Sequence, residues 1–134
     1  MYVIDSYAWI EYFSGTTPGK LVKSMVEGED DVYTPSIVVA EIKRKLLREM
    51  RAGRETKEGM KGRVEFIRLK SLTAGLDADT AERAAELADE LSLERKGFGL
   101  ADGIVLATAR KLGAMVVTGD AHFKGLKDVV FIKG

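Results

Sequence analysis

The stretch Leu100-Ala101-Asp102-Gly103-Ile104-Val105-Leu106-Ala107-Thr108-Ala109-Arg110-Lys111-Leu112-Gly113-Ala114-Met115-Val116-Val117-Thr118-Gly119-Asp120 changes its period partway along, and that change decides the fold class. From Leu100 to Leu112 apolar residues cover nearly the whole circumference of a helix, and Gly113 stands where such a helix stops. From Ala114 to Thr118 the run is almost continuously apolar, as in a strand covered on both faces. A second run of this kind follows at Val129 to Ile132. Helix followed by a doubly covered strand is the unit of a parallel α/β sheet.

The rest of the chain repeats that alternation. Tyr2-Val3-Ile4 reads as a buried strand that stops at Asp5. Ala8-Trp9-Ile10 with Tyr12-Phe13 reads as a short helix ending at Gly15, and Pro18, behind Thr16 and Thr17, opens another that runs through Val26. Val32 to Thr34 is a short strand stopped by Pro35. A long helix from about Ser36 to Ala52 and a more polar one from about Thr56 to Arg68 come next, the second weakened by Gly59 and Gly62. Ser71 to Ala74 fits a strand. Asp77 or Asp79 caps a helix over Ala81 to Leu91, whose Ala84, Leu87, Ala88 and Leu91 share one face. No repeat, linker or low-complexity segment interrupts the series, so the expectation is a single domain, residues 1–134, with helices on both faces of a mostly parallel sheet.

Composition limits the chemistry. The 134 residues are 46% apolar and 31% charged, which is globular rather than disordered. Lys plus Arg equals Asp plus Glu, 21 each, so bulk charge gives no attraction to nucleic acid. The chain has no Cys, Asn or Gln, and His122 is its only histidine. Disulfides, thiolate nucleophiles, thiolate metal sites and amide readout of bases are therefore excluded, as is any site that needs two histidines. Lack of these thermolabile residues beside abundant Lys, Arg and Glu points to a thermophilic host. No signal peptide or membrane-length apolar run is visible, which makes the cytoplasm the expected location.

Parallel α/β sheets bind ligands beyond the carboxyl ends of their strands, where strand order reverses. The residues found there are Asp5-Ser6 after the first strand and Thr118-Gly119-Asp120 after the fourth, an acid beside a hydroxyl in both cases. Asp5 also suits a helix N-cap, and Asp120 a cap after a turn. Glu41 lies on the flank of the stripe Val38, Ile42, Leu46, and taken alone it is better explained by an ion pair with Lys45. Asp102 shares its side of an apolar helix with Val105, Leu106 and Ala109, with no Lys or Arg three or four residues away. An ionised carboxylate there needs a partner, although first-turn acids also favour the helix dipole. Four converging carboxylates repel one another unless something positive neutralises them. Their hard oxygens suit Mg²⁺ or Mn²⁺, ions that assist phosphate-ester hydrolysis.

Together, Asp5-Ser6, Ala40-Glu41-Ile42, Ala101-Asp102-Gly103-Ile104 and Thr118-Gly119-Asp120-Ala121-His122-Phe123 resemble the PIN domain, and more narrowly the VapC ribonuclease toxins of prokaryotic toxin–antitoxin pairs. The likeness extends over the whole chain. It implies a three-layer α/β/α fold around a parallel five-stranded sheet, Mg²⁺- or Mn²⁺-dependent cleavage of RNA, a homodimer, and inhibition by a small VapB-like antitoxin. By position, Asp5, Glu41, Asp102 and Asp120 match the family's catalytic, metal-holding acids, and Ser6 and Thr118 its supporting hydroxyls. Tyr7 stands where the family often has a small polar residue, and Gly119 where it often has Asn or Arg. The same likeness also covers a PIN nuclease of RNA processing or quality control, and a PIN-like binding module without activity. A doubly wound nucleotide binder lacks support, because no glycine-rich phosphate loop follows the first strand.

The even charge count hides an asymmetry. Residues 41–70 hold eleven Lys/Arg against five Asp/Glu, a net of +6, which leaves −6 for the remainder. Arg44, Lys45, Arg48, Arg51 and Arg54 are candidates for contacts with RNA phosphates, or simply members of solvated helix faces. Trp9, Tyr12 and Phe13 read as core. The stripe Val38, Ile42, Leu46 and Met50 reads as core or as part of a groove for an antitoxin helix. His122, alone in a short segment, reads as a structural or surface residue rather than a general base.

Overall fold

A computed structural model describes residues 1–133; Gly134, the last residue of the expected domain, lies outside the described residues. Five strands form one sheet: β1 (Tyr2–Ile4), β2 (Val32–Pro35), β3 (Leu72–Ala74), β4 (Met115–Thr118) and β5 (Val129–Phe131). Six helices connect them: α1 (Ser6–Ser14), α2 (Thr17–Val26), α3 (Ser36–Arg51), α4 (Lys57–Lys70), α5 (Ala78–Ser92) and α6 (Leu100–Leu112). A single 3₁₀ turn spans Ala121–Phe123. This is the expected α/β sandwich, and its sheet is parallel throughout.

Strand order is β3-β2-β1-β4-β5. The chain steps outward from β1 to β3, then returns past β1 to lay down β4 and β5. Because parallel crossovers are right-handed, this reversal puts α1 to α4 on one face and α5 with α6 on the other. It also leaves a switch point between β1 and β4, where Ile4 is registered opposite Val117. The next residue on each strand, Asp5 and Thr118, therefore emerges side by side at the carboxyl edge.

Local chemistry sets the element ends. Helix α1 starts at Ser6, ahead of the apolar pattern, because Asp5 is extended and its carbonyl accepts the Trp9 N–H at 3.2 Å. Thr16 caps α2 by accepting from Gly19 N, with Pro18 in the first turn. Between the two candidate caps of α5, the backbone uses Asp77, whose Oδ1 accepts from Thr80 N at 2.7 Å. Gly113, in the left-handed conformation at φ 66°, ends α6.

Val3, Ile4, Val116 and Val117 are fully buried in the centre of the sheet, with Trp9 and Leu106 among the largest buried side chains over it. Trp9 stacks on Phe13 and meets Tyr12 edge-on; Trp9 is core as expected, whereas Tyr12 and Phe13 are only partly buried against it. Its indole N–H donates to Thr34 Oγ1 at 3.0 Å, Thr34 shares a hydrogen bond with Ser71 Oγ, and Ser71 donates to Ile67 O. That chain satisfies every polar group it buries. Along the α3 stripe, Val38 and Ile42 are buried, whereas Leu46 and Met50 are only partly covered. The stripe thus begins in the core and ends beside a surface cleft lined by Phe13, Ile42, Lys45, Leu46 and Arg63.

Candidate active site

The site begins with two strand ends. Asp5 occupies the N-cap position of α1, but its side chain makes no cap bond. It turns instead to the neighbouring strand and accepts a hydrogen bond from Thr118 Oγ1 at 2.8 Å. Thr118 Oγ1 accepts in turn from Asp120 N at 3.1 Å, so one hydroxyl fixes both acids. Asp120 caps the 3₁₀ turn through Oδ1, which accepts His122 N at 2.9 Å. The cap reading of Asp120 and its place in the acidic cluster hold together.

Two helices bring the other acids. Asp102, in the first turn of α6, accepts Gly99 N–H on Oδ2 at 3.0 Å. The partner that its own helix lacks comes from the backbone just before it. Glu41, in the second turn of α3, lies close enough to Asp5, Asp102 and Asp120 to be affected by all three. The geometry thus brings together all four acids singled out in the sequence, with Thr118 hydrogen-bonded to Asp5 and the Ser6 hydroxyl close to Glu41.

Concentrating acids at a half-dry edge shifts their ionisation. Asp5, only 6% exposed, has its carboxyl pushed up to about 6, mainly by burial and secondarily by Asp102 and Asp120, against the pull of Thr118. Glu41 rises to about 7, again by burial first and then by repulsion from Asp5 and Asp102. Burial also raises Asp102, with Asp120 adding to the effect. No Lys or Arg pairs with any of the four among the described residues. A set of carboxylates that hinders its own ionisation fits a divalent cation.

His122 was not expected here. It is partly buried, and its Nδ1 lies 3.2 Å from Asp102 Oδ2 and 3.2 Å from Asp120 Oδ1. Potential ligand atoms of Asp102, Asp120 and His122 all fall within 4.8 Å of one another. The only signal in the sequence was the two-residue spacing from Asp120, which the turn converts into proximity.

Tyr7 and Gly119, the two departures from the family pattern, prove to be one feature. A Cβ on Gly119 would sit 2.3 Å from Tyr7 Cε1, so the tyrosine ring occupies the place of a side chain at 119. The basic candidates Arg44, Lys45, Arg48, Arg51 and Arg54 are exposed on α3 and the turn after it. Arg44, Lys45 and Arg48 follow Glu41 by three, four and seven residues, and so form a row leading away from the acids. Arg54 is engaged by Glu49 at the far end.

A parallel α/β sheet with acids gathered at its switch point offers a ligand-binding edge whose oxygens suit a hard divalent cation. The chain belongs to the PIN domain family, whose model matches residues 2–129. Among solved structures, it is similar to a toxin–antitoxin complex from Klebsiella pneumoniae, with 22% identity, 99% of this chain and 98% of that chain covered, and a TM-score of 0.74. It is also similar to VapBC2 of Rickettsia felis, a structure bound to promoter DNA, at 16% identity, 97% and 96% coverage and a TM-score of 0.74. A third likeness is to VapC20 of Mycobacterium tuberculosis, described as a toxin that cleaves the sarcin–ricin loop, at 20% identity, 95% coverage of each chain and a TM-score of 0.70. No curated protein matches the chain by sequence.

Proposed function

We propose that the protein is a metal-dependent endoribonuclease that hydrolyses RNA phosphodiesters and serves as the toxin of a VapBC-type pair. The observation that carries the reading is the convergence of Asp5, Glu41, Asp102 and Asp120 at the β1–β4 switch point without a basic partner. These four would hold Mg²⁺ or Mn²⁺, and a bound ion supplies Lewis acidity and charge neutralisation to phosphodiester hydrolysis. Thr118 keeps the Asp5 carboxylate aimed at the site, and the Ser6 hydroxyl stands close to Glu41 as its supporting polar group. The row Arg44, Lys45 and Arg48 lies where the RNA backbone would run as it leaves the acids, and contacts to phosphate would make binding salt-sensitive. The toxin assignment draws on the kind of complex in which similar folds occur. It brings with it a small VapB-like antitoxin, a homodimer and a cytoplasmic setting; no helix among the described residues is long and apolar enough to cross a membrane.

The test is an RNA panel incubated with Mg²⁺, with Mn²⁺ or with EDTA, repeated with Asp5→Asn and Asp102→Asn. Cleavage that needs the ion and disappears in both variants is the expected result. Cleavage that persists in EDTA and in both variants overturns the proposal. Growth arrest on expression, relieved by a small protein encoded next to it, separates a toxin from a processing nuclease.

A further inference from the structure

We infer that His122 Nδ1 is itself a ligand of the cation held at this site, and that it biases the site towards Mn²⁺ and other transition ions over Mg²⁺. The inference rests on the metal-dependent reading above. Nδ1 is buried and has no hydrogen-bond partner, although two carboxylate oxygens lie 3.2 Å from it. Both oxygens already accept backbone N–H groups, Asp102 Oδ2 from Gly99 and Asp120 Oδ1 from His122 itself. Their positions are therefore fixed without the imidazole.

The ring is fixed as well. Its Nε2 edge rests on Gly97, where a Cβ would come within 2.7 Å, and Gly97 has φ +89°, a conformation that favours glycine. Arg95 donates to His122 O at 3.2 Å and to Lys124 O, tying the 3₁₀ turn to the loop before α6. A buried polar nitrogen left without a partner is destabilising. A cation among the three side chains removes that cost. Separations of 3.2 Å are also those expected between adjacent ligand atoms around an ion with bonds of roughly 2.0–2.2 Å. Imidazole nitrogen suits transition ions, whereas Mg²⁺ prefers oxygen, so one nitrogen among carboxylates changes the selectivity of an otherwise hard site.

Because His122 is the only histidine, any histidine nitrogen signal identifies it. The experiment loads the full-length protein, with and without ¹⁵N-histidine, with Mn²⁺ and records pulsed electron paramagnetic resonance for nitrogen coupling. Calorimetry then gives Mn²⁺ and Mg²⁺ affinities for the wild type, His122→Ala and Asp102→Asn. The expected result is a coupling that changes with the isotope, and a His122→Ala loss of Mn²⁺ affinity of at least about ten-fold with a much smaller effect on Mg²⁺. If His122→Ala does not fold, the wild-type coupling alone decides. Mn²⁺ that binds without nitrogen coupling overturns the inference and leaves the metal-dependent reading standing. Failure of both ions to bind the wild type, or undiminished binding by Asp102→Asn, overturns both.

Discussion

A carboxylate that is 6% exposed depends on whatever donates to it, and for Asp5 the side-chain donor is Thr118 Oγ1. Thr118 is itself fully buried and also receives the Asp120 N–H. Thr118→Val keeps the shape and removes both bonds, so it should destabilise the fold by about 2–3 kcal/mol, whereas Thr118→Ser should cost less than about 1 kcal/mol. Urea denaturation at pH 8 and pH 5 checks this. The valine penalty should be greater at pH 8, where Asp5 is ionised, and equal penalties at the two pH values would count against the account. The Tyr7–Gly119 contact makes a second test. Gly119→Asn should destabilise by about 1–3 kcal/mol through overpacking against the ring, and Tyr7→Ser should relieve most of that loss in the double variant. Additive losses in the double-mutant cycle would show that the two positions do not share this space. At this scale the sequence revealed the acids and not their neighbour His122. An acid directly after an apolar strand is located by the strand, but a lone histidine in a short turn belongs to no periodic pattern. Tyr7 and Gly119 read as two separate oddities because nothing in one chain marks two positions more than a hundred residues apart as neighbours.

Between elements, the tightest constraint on the site is the crossing of α5 and α6. A Cβ on Gly103 would lie 2.4 Å from Ala84 O and 3.2 Å from Ala88 Cβ, so this glycine lets the two helices approach backbone to backbone. Asp102, the preceding residue, is placed by that contact. Lys111 and Asp77 clamp the same pair near the start of α5. Gly103→Ala should therefore cost about 1–3 kcal/mol and, by moving the first turn of α6, weaken divalent-ion affinity together with stability. Thermal melts and Mn²⁺ titration of one variant measure both. A stable variant with unchanged affinity would separate the helix crossing from the site. The elements themselves were legible because each carries a clear period: the stripe of Ala84, Leu87, Ala88 and Leu91, and the solid apolar runs of β4 and β5. Ends were less so. The start of α1 depends on the Asp5 backbone, and the choice of Asp77 over Asp79 on a single side-chain bond, and neither leaves an apolar trace. The hydrogen-bond chain Trp9–Thr34–Ser71 was hidden for the same reason: it joins three elements through residues that look unremarkable singly.

For the whole molecule, the strand order turns a linear list of acids into a charge problem. The switch point gathers carboxylates drawn from positions 5 to 120, while the basic surplus lies in the segment that carries α3 and α4, so the zero net charge does not neutralise the site. Stability must then depend on pH in the opposite sense to an acid stabilised by ion pairs. Asp5 is raised from 3.8 to about 6 and Glu41 from 4.5 to about 7, and Asp102 moves the same way. Between about pH 4 and 7 the folded, metal-free protein thus binds more protons than the unfolded chain, and stability falls as pH rises through that window. Asp77 is shifted downward by Lys111, and its contribution is lost only in stronger acid, outside the window. The expected outcome in EDTA is a Tm several degrees higher at pH 5 than at pH 8. Asp5→Asn and Glu41→Gln should each flatten the dependence, because each removes a group that resists ionisation. Mn²⁺ at pH 8 should restore the lost stability in the wild type, since a ligand that binds only the folded state shifts the equilibrium towards it. The same addition at pH 5 should do less, because protons already occupy the carboxylates that the ion needs. A metal-free Tm that climbs from pH 5 to pH 8 would mean that the acids are neutralised by something other than protons or a cation.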